Sequence, residues 1–194
     1  MKIKTIFISL FSAAVMSQAQ MCTYSQKGQV DVGFTAFKTP LKIGVGGSFN
    51  EVVFKTNVQD ANTLDALLVG SGLTINKGSV NTKNQGRDAT LVTSFFNVLE
   101  ADQISAKVLN IKETSATNGV ITTRMTLNKV TVKVPMQYVI ENGVMQGHGT
   151  IDLADFNAQT ALESITKACS DLHQGKTWSD IDITFTMNIA KKCH

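Results

Sequence analysis

The chain lacks a surplus of either charge: 18 Lys and Arg face 15 Asp and Glu among 194 residues. That near-balance leaves no electrostatic footprint for nucleic acid and no polybasic face for anionic lipid, so nucleic acid is excluded as a partner. Catalytic signatures are missing too. There is no G-x-S-x-G and no H-E-x-x-H, and neither His148 nor His173 neighbours a nucleophile motif. Both histidines read as surface or capping residues. Gly44-Val45-Gly46-Gly47 is glycine-rich but opens no helix, so it reads as a flexible hairpin loop and not as a phosphate cradle. The three cysteines, Cys22, Cys169 and Cys193, lie too far apart for a C-x-x-C redox or zinc pattern. Cys193 followed by His194 offers two ligands on a terminus, too few for a metal site. No metal and no cofactor is expected.

Long apolar runs are also absent, apart from one at the start. MKIKTIFISLFSAAVMSQAQ has two lysines, an apolar stretch from Ile6 to Met16 and small residues ending at Ala19. This is the pattern of a secretory signal cleaved after Ala19. It is shorter than the roughly 20 apolar residues of a spanning helix. Ala19-Gln20-Met21 before Cys22 matches a lipobox poorly. Residues 20–194 are then expected to form one exported, periplasmic or secreted domain, large enough to bury a core. In an oxidising compartment three cysteines imply one disulfide and one odd thiol.

What is present is alternation. DIDITFTMNIA puts Ile181, Ile183, Phe185, Met187 and Ile189 on one side and Asp182, Thr184, Thr186 and Asn188 on the other, the period of a strand with one buried face. Val30, Val32, Phe34 and Ala36 alternate likewise, as do Val130, Val132, Val134, Met136 and Tyr138 on the way into an Asn142-Gly143 turn. Further turns are expected at Asn118-Gly119 and Asn128-Lys129, and further strands over 47–57 and 64–75. Only residues 157–172 show helical spacing, with Asp155 or Asn157 as the cap. The fold class is therefore all-β, a meander of about eight antiparallel strands with one helix before the last, and closure into a barrel would remove both edges. At that strand number the interior is filled or holds one small ligand.

Several segments, in order, resemble the YceI-like family of exported lipid- and isoprenoid-binding proteins. VDVGFTAFKT is similar to its first strand and GVGGSFNEVVF to the hairpin that follows. GRDATLVTSFFNV is similar to its Arg-Asp signature, and CSDLHQGKTWSDIDITF to its closing helix and strand. The resemblance implies an eight-stranded lipocalin-like barrel that is hollow and encloses a long apolar chain, such as an isoprenoid, a quinone tail or a fatty amide; homodimers also occur in the family. Thr90 stands where many members have His, and Leu99-Glu100-Ala101-Asp102-Gln103 replaces a Lys-Tyr-Pro type turn. Head-group specificity does not carry over.

The inward sets are the candidate ligand-binding residues: Val32, Phe34, Ala36, Phe49, Phe54, Leu91, Phe95, Phe96, Met125, Leu127, Val132, Val134, Phe185 and Met187. Arg87 and Asp88 are expected to pin the turn of a short lid-like connector that carries Phe95 and Phe96. Trp178 is expected to anchor the corner between helix and last strand. In a closed meander Cys22 comes near Cys193, with Cys169 as the rival partner. Three functions stay open: a lipid carrier, an enzyme acting on such a lipid through Arg87, Asp88 and His148, and a filled structural or interaction domain.

Overall fold

The structure is a computed structural model, and it describes residues 21–193. The expected leader, residues 1–19, lies outside the described residues. Alternation of apolar and polar side chains becomes a mostly antiparallel β architecture. The strands are β1 (Cys22–Lys38), β2 (Ile43–Phe49), β3 (Val52–Lys55), β4 (Asp60–Ala61), β5 (Gly72–Asn76) and β6 (Val80–Asn81). They continue with β7 (Gln103–Glu113), β8 (Asn118–Leu127), β9 (Val130–Glu141), β10 (Val144–Asp152) and β11 (Thr177–Cys193). They pair in the order β3-β5-β7-β8-β9-β10-β11-β1-β2-β6, with β4 added beside β1.

The expected eight-stranded closed barrel is thereby corrected to a strongly curled half-barrel of more strands, some of them very short. Its hydrogen-bonded ladder ends at β3 on one side and β6 on the other. The reason is a corner: the chain leaves β2 at Asn50-Glu51 and changes partners, so β2 pairs with β1 while β3 pairs with β5. One strand expected over 47–57 is thus two.

First and last strands are neighbours, as the meander requires. Cys22 stands opposite Cys193 in the β1–β11 ladder, and the two are joined by a disulfide, while Cys169 is free and buried. Between Lys27 and Asp31 the register slips at Gly28, whose φ of 69° suits a residue without a Cβ. Past the slip Val30 is buried and Val32, Phe34 and Ala36 follow on the inner face.

Helices are more numerous than the expected one. The apolar run Leu64–Leu68 is α1, not the start of a strand; Thr63 caps it by accepting from Ala66 N, and it seals Leu64, Leu67 and Leu68 in the core. The segment Gln85–Ser94 is α2, capped by Asn84, which accepts from Arg87 N. The helix expected over 157–172 divides into α3 (Gln159–Ala168) and α4 (Ser170–His173). Asn157, expected as a cap, is instead left-handed at φ 53° and ends the turn Leu153–Phe156. The turns at Asn128-Lys129 and Asn142-Gly143 form with positive φ at both residues, while Asn118 already belongs to β8. Among the described residues no helix is long and apolar enough to cross a membrane.

Gly44–Gly47 is part of β2, not a loop. Gly47 stands opposite Phe34, and a Cβ there would lie 2.5 Å from the Phe34 ring. The same arrangement recurs where Gly147 faces Phe185 and Gly119 faces Tyr138. In each case an aromatic ring lies across its cross-strand glycine, flat against the wall of the sheet, where any other residue would push it inward.

Candidate functional site

The inner face of the curled sheet does not meet in the middle. It surrounds a cavity of about 580 Å³, within the range of roughly 300–1,000 Å³ typical of small-molecule sites. The lining is overwhelmingly apolar. β1 and β11 supply one wall, β7 and β8 the facing one, and α2 and α3 lie across the open side. Of the exposed members of the lining, Asn84, Gly86 and Leu172 mark the mouth between α2 and α4, with Lys38 and Trp178 beside it.

An aromatic row runs through the interior. Phe34 and Phe49 have ring centroids 5.6 Å apart, Phe49 and Phe96 5.8 Å, and Phe96 and Phe95 5.2 Å, the last two pairs edge to face. Rings from β1, β2 and the turn after α2 thus form one continuous strip. Met125 and Met187 face the same space from other strands, and such unbranched side chains adapt to a flexible guest.

Of the fourteen residues singled out from the sequence, all but Val132 and Val134 border the cavity. Val134 is sealed in the core and Val132 is half-buried against it, opposite Met125 on β8. Alternation assigns these two to the inner face, where the turn Leu153–Phe156 packs on β9. The lining that sequence reasoning missed includes Leu73, Ile75, Ile104 and Val108 of β5 and β7 and, from α3 and its sequel, the helical Leu162, Ile165, Cys169 and Leu172. Their three-and-four spacing was visible, and it marked an apolar face without saying that the face overlooks a void.

Arg87 and Asp88 act as a clamp. Arg87 Nε and Nη2 donate to the hydroxyl and carbonyl oxygens of Thr82 at 2.8 and 2.9 Å, and Asp88 accepts from Thr82 N at 2.8 Å and from its hydroxyl. The pair holds the first turn of α2 to Thr82, directly after β6. No side chain of α2 is fully buried, although Leu91 and Val92 rest against the core. The helix borders the cavity and is tied down by hydrogen bonds at its N-terminal end. Downstream, the buried Lys77 ammonium donates to the Leu99 carbonyl at 2.9 Å and fixes the exit of the Phe95-Phe96 turn.

His148 is exposed on the outer face of β10, away from Arg87 and Asp88. The three polar groups named for a catalytic reading are therefore not gathered in the cavity. Cys169 does border it, and burial pushes its thiol upward, against a smaller downward pull from Lys38. Trp178 donates its indole N–H to Thr39 O at 2.8 Å, tying β11 to the turn after β1. Among the described residues no group of three or more His, Cys, Asp or Glu could hold a metal.

A family model described as the YceI-like domain matches residues 25–189. Solved structures share the fold. BcnA of Burkholderia cenocepacia aligns with a TM-score of 0.59 at 14% identity, covering 83% of this chain and 96% of that one. A YceI protein of Campylobacter jejuni aligns at 0.57 and 21% identity, over 76% and 85%. A polyisoprenoid-binding domain from Saccharophagus degradans aligns at 0.57 and 13%, over 86% and 97%. No curated protein sequence matches significantly.

Proposed function

This chain belongs to the YceI-like family, and from that premise we propose that it binds one long apolar chain of the polyisoprenoid class and carries or sequesters it, without chemical change. The observation that carries this reading is the cavity: about 580 Å³ walled almost entirely by aliphatic and aromatic side chains. A guest of this class is recognised by removal from water, worth roughly 0.8 kcal/mol per methylene. A few isoprene units then offset the ordering costs of binding. The similar domain from Saccharophagus degradans, a polyisoprenoid-binding one, supports the class of ligand.

Binding without catalysis fits the polar groups. Arg87 and Asp88 are engaged with Thr82, and His148 faces outward. We place the protein outside the cytoplasm, in the periplasm or secreted. That placement rests on the leader-like residues 1–19 and is supported by a disulfide that an oxidising compartment would keep. Native mass spectrometry of the purified protein, followed by organic extraction, tests the binding function. A mass increment that extracts as an aliphatic chain is expected. A protein that stays free of lipid, and takes up no polyprenol offered in detergent, would overturn it.

A further inference from the structure

The mouth of the cavity carries the most exposed apolar side chains of its neighbourhood. Leu41, Ile43 and Leu172 are 84%, 49% and 77% exposed. Leu41 sits on the turn joining β1 to β2, Ile43 opens β2 directly after it, and Leu172 sits on α4. The turn and the α4–β11 connection are stitched together: Thr39 N donates to Lys176 O at 3.0 Å and Trp178 Nε1 to Thr39 O at 2.8 Å. These side chains therefore share one rim.

Beside the apolar tips stand aromatic rings and lysines. Lys176 Nζ stands 4.6 Å from the Trp178 ring centre, and Lys42 Nζ stands 5.1 Å from it and 5.0 Å from that of Phe37. Lys38 borders the cavity at the same place. Of the acidic groups here, Asp180 is taken up by Lys42 at 2.6 Å and Asp171 stands beside Leu172. Bare aliphatic tips, a tryptophan with its polar end satisfied, and lysines beside its ring are the residue types that meet the acyl region, the carbonyl level and the phosphate level of a bilayer interface.

We propose that this rim docks on a lipid bilayer carrying anionic headgroups, with Leu41 and Ile43 entering the acyl boundary and Lys38 and Lys176 supplying locally the positive charge that the near-balanced chain as a whole does not. The proposal rests on the cavity reading, because docking there lets a chain pass between bilayer and cavity without crossing water. Crossing water would cost its burial energy methylene by methylene.

Sedimentation with phosphatidylcholine vesicles, with and without phosphatidylglycerol, tests it. The wild type is expected to bind the mixed vesicles more tightly than phosphatidylcholine alone. Leu41→Ser/Ile43→Ser, whose side chains do not line the cavity, is expected to bind the mixed vesicles about tenfold more weakly. The same variant should take up polyprenol from detergent as the wild type does. Equal vesicle binding by the two proteins would overturn the proposal. So would a wild-type dimer, seen by light scattering, that the double substitution splits while vesicles fail to compete, since a second copy would then cover the rim. Vesicle binding that depends on Leu41 and Ile43, with no polyprenol uptake by any variant, would uphold docking and sink the cavity reading instead.

Discussion

Phe185 and Gly147 stand opposite each other on β11 and β10, and the ring lies so close over the glycine that a Cβ there would be 2.0 Å from it. The ring is held against the wall, and the space in front of it stays open. Gly147→Ala is expected to force Phe185 inward, destabilise the fold by about 1–3 kcal/mol, and reduce the bound-chain stoichiometry seen by native mass spectrometry. Full ligand capacity in a folded Gly147→Ala protein would contradict this account of the hollow.

Phe95 and Phe96 close one end of the aromatic row, but unequally, because Phe96 is buried and Phe95 is partly exposed. Phe95→Ala is expected to speed ligand dissociation with little loss of stability. Phe96→Ala is expected to cost more, up to about 3–5 kcal/mol. Denaturant melts and a dissociation time course would separate the two effects.

The clamp on Thr82 makes a prediction about motion. Arg87→Ala removes two donors from Thr82 and should raise hydrogen exchange across α2 while the ladder of β8 to β11 keeps its protection. Bound ligand should restore protection to α2. Unchanged exchange would mean that the helix is held by other contacts.

Tyr138 carries a buried hydroxyl with no hydrogen-bond partner, and burial first, the Glu113 carboxylate second, push its phenol above the usual range. Tyr138→Phe removes an unmet polar group and should stabilise the protein by about 1 kcal/mol. The sign of the pH effect follows from linkage. The unfolded chain ionises first as pH rises, so stability is flat below the ordinary phenol range and falls above it. Tyr138→Phe should flatten that alkaline decline in a pH series of melts.

The cysteines give a paired test. Cys22→Ser/Cys193→Ser opens a crosslink between residues 171 apart and should lower stability by up to about 5 kcal/mol on the loop-entropy view. In the intact protein Cys169 should be the one thiol that alkylates, slowly near neutral pH and faster in alkali, because burial raises it. Polyprenol in the cavity should slow that reaction further.

Much of this was legible in the sequence, and the exceptions have physical causes. The alternation from Ile181 to Ile189 and the Asn142-Gly143 turn could be read directly, because period and turn chemistry are local. Gly44–Gly47 was not legible as a strand, since its glycines answer to Phe34 across the ladder, a partner that local pattern does not show. In α2 the threonines lower helix propensity, yet Thr90 and Thr93 satisfy their hydroxyls on the carbonyls of Gly86 and Ala89. Asn84 and Asp88 were the available helix-start signals. At the β9 end, inner-face periodicity could not distinguish Val134, packed solid, from Met125, facing a void.

β1 and β11 run antiparallel from the Cys22–Cys193 bond at one end to Lys38 and Thr177 beside the mouth at the other. Seventeen residues of strand separate the two ends, on the order of 50 Å at the usual rise. The place where the first strand begins and the last one finishes is therefore at the opposite end of this ladder from the mouth. A fused domain, a surface linker or a dye attached at the crosslinked end would leave the mouth unobstructed.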